Sequence, residues 1–320
     1  MYSFAKEKMA PLKAALALMI VADHMALFYG VDALRPFIAL GAPIVSVFFF
    51  ISGFGLQSSY MQKGDSYLKG FFSRRIWKVL LPWLLATLLY GLLMWLSPRQ
   101  WMDWTIRTFT QGNPILPFSW YVLEILFFYM AFYCSYRFFP GIWKGIVLLG
   151  LVLLFMLLTL LLHYGQGWWV SSLAFPSGIA FACYEKKVTA LFERHPIYYW
   201  LSLFGLAGLF CLGFIAGKRI SAFAFTVSHI CIGLMVALLT ERLPLERLNL
   251  KIVSFIGLIS YEIYLCQGIA MALLRGRWEV ASDILFVTLV YIVTIALAWA
   301  IHLLSGLITK KRTVCTSSTT

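Results

Sequence analysis

Long apolar runs alternate with short polar or basic breaks along almost the whole chain. A bilayer-crossing helix needs about 20 mostly apolar residues. About ten stretches meet that need: 12–30, 36–60, 76–97, 117–138, 143–163, 168–184, 197–215, 220–239, 252–274 and 282–305. The breaks carry turn or charge signals, such as Lys63-Gly64-Asp65, Gly112-Asn113-Pro114, Glu185-Lys186-Lys187 and Gly217-Lys218-Arg219. The sixth stretch is short and contains Phe175-Pro176-Ser177-Gly178, which predicts a kinked or broken helix. The pattern as a whole predicts an all-α, polytopic membrane protein with about ten transmembrane helices. No connection is long enough for a second domain. Residues 1–312 are therefore expected to form one membrane-embedded domain, followed by a disordered Ser/Thr-rich tail over 313–320. The longest connection, 98–116, holds Trp101 and Trp104 and is expected to lie at the membrane interface.

Composition agrees with this pattern. The chain is 62% hydrophobic and 12% charged, whereas a soluble domain is about a quarter charged. Its 26 Lys and Arg outnumber its 13 Asp and Glu, for a net charge of +13. In a soluble chain that excess would point to nucleic acid. In an apolar, multi-pass chain it reads as a topology signal, and no nucleic-acid partner is expected. With ten crossings and the N-terminus inside, only Arg35, Arg99, Arg107, Lys218, Arg219, Arg275 and Arg277 fall outside. The other basic residues face inward, so both termini are expected in the cytoplasm, with the basic loops against anionic lipid of the cell membrane. The first apolar run carries Asp23 and His24 and no small-residue cleavage site follows it, so it reads as a retained helix rather than a signal peptide. The six cysteines show neither metal-ligand spacing nor a disulfide framework. No resident cofactor or metal is expected.

Four constellations carry candidate chemistry. Lys13 and His24 are eleven residues apart. In a helix they fall within about 20° of each other around the axis and about 16 Å apart along it. Asp23 sits about 100° round the helix from His24. An ionisable pair inside a span is costly without a partner or a task, and a neutral imidazole is the commonest general base. The competing reading of a buried His is a hydrogen-bonded link between helices. The second constellation is Arg74-Arg75-Ile76-Trp77-Lys78, followed by Pro82. Arg75 and Lys78 share a helix face and suit phosphate binding, or equally an anchor to lipid headgroups. The third is the run Phe48 to Gly55, where Ser52 and two glycines permit close helix contact. The fourth comprises Trp120-Tyr121 with Glu124, and Ser260-Tyr261-Glu262 with Tyr264 and Gln267. Glu124 or Glu262 is suited to orient an imidazole or hold an acceptor hydroxyl, or to pair with a basic group for structure alone. His163, His229 and His302 read as structural or interfacial.

The order of these pieces resembles the acyltransferase-3 family of integral membrane acyltransferases, in particular its carbohydrate O-acetyltransferase branch. The resemblance spans nearly the whole chain. Lys13 and His24 are similar to the family's opening basic residue, ten residues and His, with Lys for the commoner Arg. Phe48 to Phe54 resembles its Phe-rich run into Ser-Gly-Phe. Arg75-Ile76-Trp77-Lys78 and Pro82 resemble its Arg-x-x-Arg and Pro, again with Lys for Arg. Trp120-Tyr121, Phe175 to Gly178 and Ser260 to Leu265 resemble its later landmarks. The resemblance implies an acyl-CoA donor, by default acetyl-CoA, on the cytoplasmic side and an acceptor hydroxyl on an outward-facing glycan or lipid-linked glycan. His24 would be catalytic, with Asp23, Ser52, Glu124, Tyr261 and Glu262 in support. Lys13, Arg74, Arg75 and Lys78 would hold the CoA phosphates. A second copy of the chain or a glycan-assembly protein would be its partner. The same intramembrane His and Glu residues also suit a proton-coupled transporter. That alternative predicts inverted repeats, which the sequence does not display, and gives the Arg74–Lys78 cluster no use.

Overall fold

In a computed structural model, residues 4, 6–219, 222–248 and 250–317 are described. They are helical throughout, with no strand among the described residues. Thirteen helices follow in order: α1 Lys6–Tyr29, α2 Gly41–Lys63, α3 Trp77–Leu93, α4 Pro98–Gln111, α5 Trp120–Phe138, α6 Trp143–Leu161, α7 Gly167–Val170, α8 Ala174–Arg194, α9 Pro196–Arg219, α10 Ala222–Arg242, α11 Lys251–Leu258, α12 Ser260–Met271 and α13 Asp283–Ser317. Two π-helical turns, Phe72–Ile76 and Ala272–Arg277, precede α3 and follow α12. The first two residues of the expected eighth span, and residues 318–320 of the expected tail, lie outside the described residues. α13 itself runs on to Ser317.

Each expected apolar stretch coincides with a helix. Seven helices among the described residues are long and apolar enough to cross a membrane, or eight if the bent pair α11 and α12 forms one span. α5 and α8 fall short for a chemical reason. α5 mixes Glu124, Arg137 and a series of Trp and Tyr into its apolar face, and the second half of α8 carries Glu185-Lys186-Lys187. The expected break near Pro176 falls just before α8, where Ser171 to Leu173 leave the helical path. A sharper break occurs at Ile259, where α11 and α12 meet at 74°. The expected interfacial segment is α4. Ser97 and Gln100 close its first turn with reciprocal hydrogen bonds. Met102, Ile106 and Phe109 lie exposed along one face, the pattern of a helix lying in a membrane surface.

The chain divides into two compact units. One comprises residues 1–9, 39–74 and 123–249. Its centre is aromatic: Phe49, Phe50, Phe128, Phe132 and Phe175 are fully buried. There α2 and α8 cross at reciprocal glycines. A Cβ on Gly53 would strike the Phe175 carbonyl, and one on Gly178 would strike the Phe50 carbonyl. The Phe-Ile-Ser-Gly and Phe-Pro-Ser-Gly runs are thus two halves of one helix crossing, built on small residues that let backbones approach. Lys8 fastens α1 to the end of α10 in the same unit. Its buried ammonium donates to the carbonyls of Thr240 (2.7 Å), Glu241 (3.1 Å) and Leu243 (2.9 Å). These are carbonyls that a helix end leaves unsatisfied.

The second unit comprises residues 10–38, 75–122 and 250–317 of the described chain. α12 packs along α13. The Tyr291 hydroxyl of α13 donates to the Leu18 carbonyl of α1 (3.0 Å), and a Cβ on Gly257 would strike the Ala10 carbonyl. These contacts hold α1, α12 and α13 together around His24.

Gly53→Ala and Gly178→Ala are each expected to cost about 1–3 kcal/mol through overpacking, read as a fall in the thermal midpoint of the detergent-solubilised protein. Gly55→Ala is the control: its Cβ would meet nothing within 4 Å, so the midpoint should stay level or rise.

Candidate active site

The second unit gathers most of the expected site residues. His24 lies on α1, 8% exposed, with its imidazole stacked on the Phe118 ring (centroids 4.1 Å apart, planes 28°). Its Nε2 lies 4.0 Å from Asp23 Oδ2, too far for a hydrogen bond but within electrostatic reach. Its Nδ1 is buried and makes no hydrogen bond among the described residues. Gln267 of α12 comes alongside the imidazole. The Gln267 amide nitrogen donates to the Tyr264 carbonyl (3.1 Å), and its Oε1 is buried without a donor. The imidazole and the Gln267 amide interact with each other, and each keeps bonding capacity beyond that contact, which a substrate's hydroxyl or carbonyl can use.

Phe118 is held in place from below. Its backbone is left-handed (φ +66°), a strained conformation for an aromatic residue. The Tyr264 hydroxyl donates to its carbonyl. Gly268, one turn on, lacks the Cβ that would lie 2.8 Å from the Pro117 ring. The ring of Tyr121 meets that of Tyr264 edge-on at 5.4 Å. The loop before α5 is thus clamped to α12, and the clamp sets the ring that covers His24. Sequence reasoning passed over Phe118. The one signal was its place between Pro117 and the Trp120-Tyr121 landmark.

Other residues take different places from those expected. Glu262 pairs with His302 on α13, with Nδ1 and Oε1 2.9 Å apart, and Trp299 stacks on that imidazole. Tyr261 donates to the Val79 carbonyl of α3 (2.8 Å), beside the carbonyl of Lys78, whose helical donor Pro82 removes. Tyr261 therefore ties α12 to α3 at its proline. Lys13, half-buried on α1, stands close enough to Arg75 for their charges to repel. Two cations held in mutual reach make a ready seat for an anion. Lys78 is exposed one turn further along α3.

Three candidates lie in the first unit. Arg74 turns back to donate to the Tyr67 carbonyl and rests over that ring at 5.8 Å. Ser52 is half-buried on α2 beside the Gly53 crossing. Glu124 is fully buried. Its Oε1 accepts from Ser172 (2.6 Å), and its Oε2 has no donor among the described residues. His229 in the same unit engages the Phe225 carbonyl through Nδ1 (2.7 Å), a local structural bond.

These features define a helical, membrane-embedded protein whose second unit sets a covered imidazole and one member of a cation pair along one helix. The family model for the acyltransferase domain of the acyltransferase-3 type matches residues 12–303, and the chain belongs to that family. Neither the curated proteins nor the solved structures compared with it contain a match. The chain is a membrane acyltransferase.

Tyr264→Phe removes the hydroxyl that holds the Phe118 carbonyl and keeps the ring. It should slow acyl transfer about ten-fold, the loss of one hydrogen bond of roughly 1.4 kcal/mol. Affinity for the acyl donor, read by equilibrium binding, should not change.

Proposed function

We propose that this acyltransferase moves an acetyl group from cytoplasmic acetyl-CoA to a hydroxyl of an envelope or extracellular polysaccharide, or of its lipid-linked precursor. The chain would act as a single domain over 1–312, with about ten crossings and both termini in the cytoplasm of a cell that holds it in its cytoplasmic membrane. One observation carries the reading: a covered imidazole with an unpaired nitrogen sits on the same helix, and on nearly the same face, as the cation next to Arg75. A CoA phosphate resting on Lys13 and Arg75, with Lys78 and Arg74 adding charge nearby, leaves about 16 Å of helix for the thioester arm to reach His24. Family membership favours this chemistry over proton-coupled transport.

The reaction has two routes at His24. As general base, the imidazole takes the acceptor's hydroxyl proton while the oxygen forms a bond to the thioester carbonyl carbon. The carbon–sulfur bond then breaks, and the thiolate leaves with that proton. As carrier, the imidazole nitrogen bonds to the thioester carbonyl carbon, the carbon–sulfur bond breaks and the thiolate leaves with the ring's N–H proton; the acceptor oxygen then bonds to that carbon, the carbon–nitrogen bond breaks and the hydroxyl proton returns to the imidazole. Asp23, Tyr261 and Glu262 would support the imidazole's helix and its neighbours. Ser52 and Glu124 are proposed as further supports.

Purified wild type and His24→Ala, in nanodiscs with radiolabelled acetyl-CoA and an envelope glycan extract, test the reading. Label should reach the glycan with wild type alone. Label trapped on wild-type protein without glycan would select the carrier route. Transfer by His24→Ala at the wild-type rate would remove His24 from catalysis. Arg75→Ala with Lys78→Ala should raise the Kd for acetyl-CoA ten-fold or more. Unchanged affinity would reduce the two cations to lipid anchors.

A further inference from the structure

A cavity of about 480 Å³ that the reading above does not use opens at the C-terminal end of α1, within the second unit. That volume is in the range of small-molecule sites, about 300–1,000 Å³. Its lining is Tyr29, Met94, Trp95, Ala272, Gly276 and Arg277. Tyr29 follows His24 by five residues on α1, and Ala272 follows Gln267 by five residues at the end of α12. The cavity therefore lies roughly 8 Å beyond the imidazole along α1. The Lys13–Arg75 cations lie at the opposite end of α1, about 24 Å away along the axis, so the phosphates of a donor seated there cannot fill it.

Two departures from regular backbone shape this cavity. Three of its lining residues belong to the π-helical turn Ala272–Arg277, a geometry found mostly at functional sites. Trp95 is held left-handed (φ +55°) just after α3, and the residue is 77% exposed. Gly276 borders open space, since a Cβ there would meet nothing within 4 Å.

The chemistry of the walls is specific. Arg277 donates one N–H to the Leu93 carbonyl and stands over the Trp95 indole at 5.9 Å. A guanidinium has five donors, and among the described residues no carboxylate pairs with this one. Its neighbour Arg275 is a contrast. That side chain is consumed by Asp283 and by the carbonyls of Val280 and Ala281. An exposed aromatic face, a phenol and a guanidinium without a counter-charge match a sugar ring that has an apolar C–H face, hydroxyls and one negative group.

We propose that this cavity is the acceptor subsite and that it binds a saccharide carrying a carboxylate or phosphate. Trp95 stacks on the ring and Arg277 pairs with the charge. The word acceptor rests on the acyl-transfer reading above, whereas the binding site does not.

Binding without any acyl donor tests it. Full-length protein in zwitterionic nanodiscs is titrated calorimetrically with a glucuronate-containing disaccharide, with glucose 1-phosphate and with neutral cellobiose. The charged sugars should bind at least about ten-fold more tightly than cellobiose, as one charge-assisted hydrogen-bonded pair requires. Arg277→Gln should erase that preference, Arg277→Lys should keep part of it, and Trp95→Leu should weaken all three sugars. Equal binding of charged and neutral sugars by wild type would overturn the proposal, and that arm needs no variant to fold. The titration is repeated in discs containing phosphatidylglycerol. If the anionic lipid abolishes sugar binding in wild type, the cavity holds a lipid headgroup and the saccharide assignment falls. His24→Ala protein separates the two readings: charged-sugar binding without acyl transfer by wild type would sink the proposed reaction and leave this site standing.

Discussion

A polar group carried into an apolar helical interior must find its partner there, because lipid offers none. Most of this architecture follows from that constraint. Lys8 is satisfied by three carbonyls at a helix end. Glu262 has His302, and Tyr261 has the Val79 carbonyl. Where the rule is met, the polar group fastens one element to another. It is met less fully at several buried atoms, among them Glu124 Oε2 in the first unit and, where α12 comes alongside α1, His24 Nδ1. Chemistry needs a group with unused bonding capacity, and the covered imidazole retains it.

Much of this was legible in the residues. The eleven-residue step from Lys13 to His24 holds because α1 is an uninterrupted helix from Lys6 to Tyr29, so period alone gives the shared face. The glycines of the Phe48–Gly55 run announced close helix contact, although not that their partner is the Phe175–Gly178 run, which reads in sequence as a kink. What stayed hidden depends on tertiary partners. No local pattern links Glu262 to a His forty residues away on α13. Nor does any pattern show that an aromatic residue after Pro117 would take a left-handed backbone to cover His24. α5 and α8 do not stand out as spans by length and apolarity, since helices packed in protein tolerate the Tyr, Trp and charged residues that lipid-facing ones avoid.

The aromatic cover also bears on how the imidazole works. A ring stacked at 4.1 Å removes water from one face of His24, and a drier site strengthens the electrostatic interactions made within it. That cover depends on strain at Phe118 paid for by Tyr264 and by the missing side chain of Gly268. Residues that touch no reacting atom thereby govern the environment of one that would.

The break at Ile259 has a consequence for biogenesis. α11 has 8 residues and α12 has 12, and a single helix needs roughly 20 to be stable in lipid by itself. The first half is too short to partition alone, and the second reaches 18 residues only with its π-helical turn, over Ser260–Arg277. The segment bearing Tyr261, Glu262, Tyr264 and Gln267 enters the bilayer only against neighbours already there. α1 and α3 are synthesised long before it and supply the Leu18, Val79 and Ala10 backbone positions on which this unit closes. The α12 residues packed beside His24 are therefore made near the end of translation, and a chain stalled before α12 lacks Tyr264 and Gln267.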